Sequence, residues 1–134
     1  MDAELATSGL DRYVMTDGKW LEFMIGQLMA NSMKYCSRER RLVIRVWAEQ
    51  TDDRVVFHFR DNGKGIDAGD LPYVFEKSFT GRNGRENHGS TGMGLYIVRN
   101  LCERLGHRIE VFSEYGEYTE VRIDFWKNDF YKMD

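Results

Sequence analysis

The sequence predicts an α+β two-layer sandwich, a mixed β-sheet with helices packed on one face. Strand-like segments come in adjacent pairs, "RLVIRVWAEQ" with "RVVFHFRD" and the two arms of "RIEVFSEYGEYTEVRIDFW", and a segment of helical period precedes each pair. The resulting order, β-α-β-β-loop-α-β-β, lacks the strict strand-helix alternation of an all-parallel sheet.

Residues 1–9 read as a linker remnant and residues 10–134 as one domain. "LDRYVMT", Leu10 to Thr16, reads as a short first strand. Asp17 suits the N-cap of a helical run that continues to Cys36, with Leu21, Ile25, Leu28 and Met29 facing the sheet. "TDD" then turns a hairpin between two alternating strands. Pro72 opens a short helical turn in "LPYVFEKSF". The segment from Thr80 to Gly94 holds five of the thirteen glycines, and it is too polar to pack a core and too long for a plain connection. Leu95, Val98, Leu101, Cys102 and Leu105 share one face of a second helix, which Gly106 stops. The closing hairpin turns near "EYGE".

With 134 residues the chain is long enough to bury a core without metals or disulfides, and its 31% charged content is that of a globular protein. A net charge of −3 argues against a nucleic-acid partner held by phosphate neutralisation. Cys36 and Cys102 form no CxxC pair and read as buried free thiols in a reducing compartment. Neither a signal peptide nor an apolar run of about 20 residues is present, which predicts a cytoplasmic chain, or a cytoplasmic piece of something larger.

Three clusters carry chemistry. Gln27, Asn31, Lys34 and Tyr35 fall within a helical stripe about 100° wide. A solvated face is the ordinary meaning of such a stripe, but solvated faces favour Glu and Lys, and two amides with a tyrosine suit a lining. The second cluster is "RDNGKGI". Asp61 at a strand end accepts hydrogen bonds only, as the exocyclic amine of a purine requires, while Gly63 and Gly65 would let a flat ring approach the backbone. An Asp-Asn-Gly turn without a ligand is the alternative. The third is "GSTGMGL", Gly89 to Leu95, whose backbone N–H groups lead into a helix N-terminus suited to phosphate. It matches neither a Walker A loop nor a dinucleotide fingerprint.

Taken together and in this order, these residues resemble the catalytic and ATP-binding domain of bacterial two-component sensor histidine kinases, in the superfamily that also holds gyrase, Hsp90 and MutL ATPases, with its Bergerat-type fold. "QLMANSMKY" is similar to the N box, "DNGKGI" to the G1 box, "VFEKSF" to the F box and "STGMGLYIV" to the G2 box. "FTGRNGR" ahead of "STGMGLY" resembles kinases of the short-sensor, intramembrane-sensing type.

The resemblance implies that Asn31 holds Mg²⁺ through its amide oxygen, that Gln27 lies near the γ-phosphate, that Lys34 contacts phosphate and that Tyr35 covers adenine. It implies that Asp61 reads the adenine amine beside Gly63, Gly65 and Ile66. Lys77 to Thr91 would form an ATP lid whose Lys77, Arg82 and Arg85 offer charge to phosphate. Ser90, Thr91, Gly92 and Gly94 would bind phosphate at the second helix, with Met93 and Leu95 in the same nucleotide-binding segment. Phe75 and Phe79 would anchor the lid to the core.

Histidine kinases transfer phosphate to a histidine followed by an acidic residue, and none of His58, His88 and His107 has that neighbour. His58 and His107 read as strand residues and His88 as a lid residue. The expectation is therefore a catalytic half, monomeric by itself. It would phosphorylate the dimerisation domain of a homodimeric, membrane-anchored parent, with a response regulator downstream. A nucleotide switch without kinase activity, or a serine kinase of the anti-sigma type, is the alternative.

Overall fold

A computed structural model of the chain describes residues 3–8, 18–77 and 94–126. In order, the elements are β1 (Ala3–Ser8), α1 (Gly18–Lys34), β2 (Leu42–Gln50), β3 (Arg54–Asp61), a 3-10 turn (Leu71–Tyr73), α2 (Gly94–Arg104), β4 (Arg108–Glu114) and β5 (Tyr118–Trp126). The five strands form one sheet in the order β1-β2-β3-β5-β4. β1 runs parallel to β2 and the remaining pairs are antiparallel, so the sheet is mixed as expected.

The start of the chain departs from the reading of the sequence. Residues 1–9, expected as a linker remnant, supply β1, and the strand expected at 10–16 lies outside the described residues. "AELATS" has weak strand propensity, and its strand form rests on parallel backbone pairing with the edge of β2, from Ala3 opposite Leu42 to Ser8 opposite Trp47.

Alternation divides the sheet into two faces. Leu42, Ile44 and Val46 of β2, Val55 and Phe59 of β3, and Val121, Ile123 and Phe125 of β5 point to the helix side, where all are buried. Met24 and Leu28 of α1 and Val98 and Cys102 of α2 close over them. Each such side chain contributes on the order of 1.5–3 kcal/mol when removed from water. On α1, Leu28 is buried and Leu21 packs on the core as expected, but Met24 is fully buried while Met29 is 37% exposed, so the core stripe runs Met24–Leu28–Ser32 directly beside the stripe of Gln27 and Asn31. α2 matches its predicted face, with Leu95, Leu101 and Leu105 packed around Val98 and Cys102. Of the two free cysteines, only Cys102 is buried, and burial, aided by the charge of Glu103, pushes its thiol up to about 12. Cys36 is half-buried, contrary to expectation.

The other face of the sheet carries a charged cluster around one buried carboxylate. Glu120 is only 1% exposed and is met by His58 Nδ1 at 3.0 Å, by Arg60 Nε at 2.8 Å and by Arg122 Nε. Trp47 stacks on His58 with ring centroids 4.6 Å apart, Arg60 lies over Tyr118 and Arg122 over Phe112. Burial raises the Glu120 pKa, but the hydrogen bonds from Arg122, His58 and Arg60 outweigh it and hold the carboxyl below the ordinary glutamate value. A depressed folded-state pKa contributes stability above the unfolded value and loses it as pH falls through the folded one. Glu120→Ala should therefore cost about 1–3 kcal/mol at neutral pH, less than a wholly buried pair because both arginines can rehydrate. Urea unfolding across pH checks this: the gap between the two proteins should close below the ordinary glutamate range, and identical midpoints at neutral pH would leave the cluster without energetic weight.

Among the described residues no helix is long and apolar enough to cross a membrane.

Candidate functional site

The last two turns of α1 reach two different parts of the molecule from neighbouring residues. Asn31 is half-buried, and its side-chain amide lies against the first residue of α2: a Cβ placed on Gly94 would stand 3.0 Å from Asn31 Oδ1. A side chain at position 94 would push the amide back by a few tenths of an ångström. The first N–H groups of α2 have no partners within the helix, so a side-chain amide and a helix N-terminus with its positive dipole end converge there.

Ser32, the next residue, turns the other way. It is 3% exposed on the core face of α1 and donates from Oγ to Asp61 Oδ2 at 2.7 Å. The remaining carboxylate oxygen, Oδ1, accepts the backbone N–H of Gly63 at 2.9 Å, a side-chain turn that bends the chain sharply after β3. Burial raises the Asp61 pKa, and the Ser32 hydroxyl, the Gly63 N–H and the charge of Arg40 oppose the rise. Asp61 is thus a partly desolvated acceptor whose ionised form is held by hydrogen bonds aimed at it.

The loop after Asp61 is fixed by its backbone. Lys64 N–H donates to the Tyr35 carbonyl at 2.9 Å, and Ile66 N–H donates to Ser113 Oγ at 2.7 Å. Asn62 rejoins β2, accepting from Val43 N–H at 2.8 Å and donating to the Arg41 carbonyl at 2.9 Å. The reason for the two glycines differs from the one expected. A Cβ on Gly63 would lie 2.6 Å from the Tyr35 carbonyl oxygen, and one on Gly65, where φ is +74°, would strike the Glu114 carbonyl. Both are required by protein backbone docking on the loop, where the sequence reading had given that space to a flat ligand.

Other expected residues fall as follows. Gln27 and Tyr35 are half-buried, Lys34 and Lys77 exposed, and Leu95 packs against the core. Phe75 is half-buried, with the Arg99 guanidinium of α2 5.3 Å from its ring centroid. Arg82, Arg85, Ser90, Thr91, Gly92 and Met93, together with Phe79, His88 and most of the expected lid, lie outside the described residues. Among the described residues, no three His, Cys, Asp or Glu side chains gather as a metal group.

Asn31 with Gly94, and Asp61 with Ser32 and Gly63, come together from segments far apart in the chain. A profile of the histidine kinase-, DNA gyrase B- and HSP90-like ATPases matches residues 16–129. The chain belongs to this ATPase family. A sensor histidine kinase of Bacillus subtilis, YxdK, is 40% identical to it over 116 residues, which make up 86% of this chain and 35% of that protein. The sensor protein kinase GraS of Staphylococcus aureus is 37% identical over 116 residues, covering 87% of this chain and 33% of that one. The ATPase-family domain thus spans about a third of the length of these curated relatives. Its fold is shared with the mycobacterial sensor histidine kinase MprB, at a TM-score of 0.76, 21% identity, and coverage of 93% of this chain and 82% of that one. The catalytic domain of histidine kinase ThkA gives 0.73 at 19% identity, covering 94% and 80%.

Sequence reasoning missed Ser32, Asn62 and Ser113. The first left a signal, a lone hydroxyl among the apolar residues of a helix face, whereas the others hold the loop through contacts that no local pattern announces.

Proposed function

We propose that this chain is the ATP-binding catalytic domain of a sensor histidine kinase, which transfers the γ-phosphate of Mg-ATP to a histidine on a separate dimerisation domain of its parent. The observation that carries the proposal is the placement of neighbouring α1 residues, Asn31 at the start of α2 and Ser32 on the carboxylate of Asp61. One end of the site then suits phosphate and the other suits a base amine. The names of the 40% and 37% identical relatives support the kinase class.

In this reading Asp61 accepts the adenine amine and Tyr35 covers the ring. The α2 N-terminus, with Lys34 and the lid cations Lys77, Arg82 and Arg85, receives phosphate charge. Gln27 stands one turn before Asn31, toward the γ-phosphate. The half-buried amide of Asn31 at the start of α2 fits a magnesium ion bound mainly by phosphate oxygens and water, because magnesium keeps several waters and takes few ligands from the protein. Asn31 would hold it, and the ion would supply charge neutralisation. The chain itself contributes position and fixed dipoles, which is most of what phosphoryl transfer asks of a protein. The nucleophile comes from outside: none of the three histidines is followed by an acidic residue, and His58 and His107 are 5% and 6% exposed. The parent would be a membrane-anchored homodimer that passes phosphate on to a response regulator.

Incubated alone with γ-labelled ATP, the chain should acquire no acid-labile phosphohistidine. Mixed with the dimerisation domain of its parent it should label that partner slowly, because separation forfeits the effective concentration, roughly millimolar, that a covalent linker supplies. Self-labelling on histidine contradicts the proposal, and acid-stable phosphoserine on an added protein would favour the anti-sigma type of kinase.

A further inference from the structure

Arg40 sits in the connection between α1 and β2 and is exposed, yet its guanidinium meets four backbone oxygens through Nε and Nη2. Nε donates to the Asn62 carbonyl at 2.7 Å, and Nη2 lies 2.8 Å from the Gly63 carbonyl, 2.8 Å from that of Gly116 and 3.3 Å from that of Glu117. One side chain therefore joins the loop that follows Asp61 to the turn between β4 and β5. The two segments meet at two further points. Gly116 N–H donates to the Lys64 carbonyl at 2.6 Å, and Gly65 leaves no room for a side chain against Glu114. Four carbonyl oxygens facing one place repel one another unless a donor with several N–H groups in a fixed fork lies between them. Arginine has that shape and lysine does not.

We propose that Arg40 is a positioning residue for base recognition, which pins the loop carrying the Asp61 turn against the β4–β5 turn and so fixes where the Asp61 carboxylate points. This rests on the reading of Asp61 as the acceptor for the adenine amine. A carboxylate discriminates between bases only if its direction is held, since a loose one can follow either purine. Arg40 has a second consequence. The groups around Asp61 are the Ser32 hydroxyl from α1, the Gly63 N–H, the Arg40 charge, and the uncharged strand partners Ile44 and Thr119. Arg40 is the cation that opposes the effect of burial on Asp61. Its loss should move the loss of nucleotide affinity on the acid side to higher pH.

The test uses the whole chain and isothermal titration with ATP and with GTP from mildly acidic to neutral pH, on the unmodified protein, Arg40→Gln and Arg40→Lys, with thermal unfolding alongside. The unmodified chain should prefer ATP; if it does not, the reading of Asp61 fails, and this inference fails with it. Given that preference, Arg40→Gln should lose ATP affinity by roughly tenfold, narrow the ATP-to-GTP ratio and shift the acid limb upward. Arg40→Lys should also narrow the ratio, because an ammonium cannot span four carbonyls, but should leave the acid limb near its original position because the charge remains. The inference is overturned if both variants keep the unmodified ratio and acid limb, whatever happens to their unfolding temperature. Should Arg40→Gln fail to fold, Arg40→Lys decides alone: a selective loss of ATP over GTP supports the role, and an equal loss of both overturns it.

Discussion

Asp61→Asn should weaken binding of adenine nucleotides about ten- to a hundredfold and at the same time make the empty domain more stable. The first effect follows from hydrogen-bond polarity. An ionised carboxylate offers acceptors alone, whereas an amide can present a donor to the purine amine, and a misplaced buried hydrogen bond costs ~1–3 kcal/mol. The second follows from linkage. Burial raises the Asp61 pKa despite Ser32, Gly63 and Arg40, so the folded state holds this proton more tightly than the unfolded chain does. An acid with a raised folded-state pKa makes stability fall as pH climbs from the unfolded value through the folded one. Asparagine removes this cost, since its carbonyl can accept the Gly63 N–H while its NH2 group donates to the Ser32 hydroxyl oxygen. Nucleotide titration and thermal unfolding on the same pair of proteins check both effects. Equal affinity of the unmodified chain for GTP and ATP would remove base reading by Asp61, and a less stable empty variant would mean that the carboxylate is a structural cap.

Asn31→Ala should abolish transfer to the partner domain, a loss of at least about a hundredfold, as expected for removing a preorganised polar group at a charged reacting centre. It should weaken Mg-dependent ATP binding far more than metal-free ADP binding. The fold should survive. Asn31 is half-buried, its neighbour Gly94 presents only backbone, and the core contacts of α1 come from Met24 and Leu28. Titrations with and without magnesium separate the possibilities, because equal losses in both would make Asn31 a helix residue that packs on α2 and nothing more.

Local periodicity alone determined most of this protein's elements and many of its chemical residues. The run of branched and aromatic residues in "RVVFHFRD" and the spacing of Val98 and Cys102 identify β3 and α2 without reference to the rest of the chain, because strand propensity and a period of 3.6 residues are properties of neighbours. Asn31, Asp61 and Gly94 were legible for a similar reason: an amide within a helical stripe, an acid at a strand end and a glycine at a helix start each carry unusual chemistry for their place. Tertiary structure decided the rest. β1 exists because β2 has an edge for "AELATS" to join. The core side of α1 depends on where the sheet lies, which put Met24 inside and left Met29 partly exposed. Gly63 and Gly65 answer to the carbonyls of Tyr35 and Glu114, and Arg40 reaches Glu117 across 77 positions of sequence. Contacts of that kind join segments whose patterns are set independently, so they exist only once the chain has closed and backbone oxygens from different elements must share one donor.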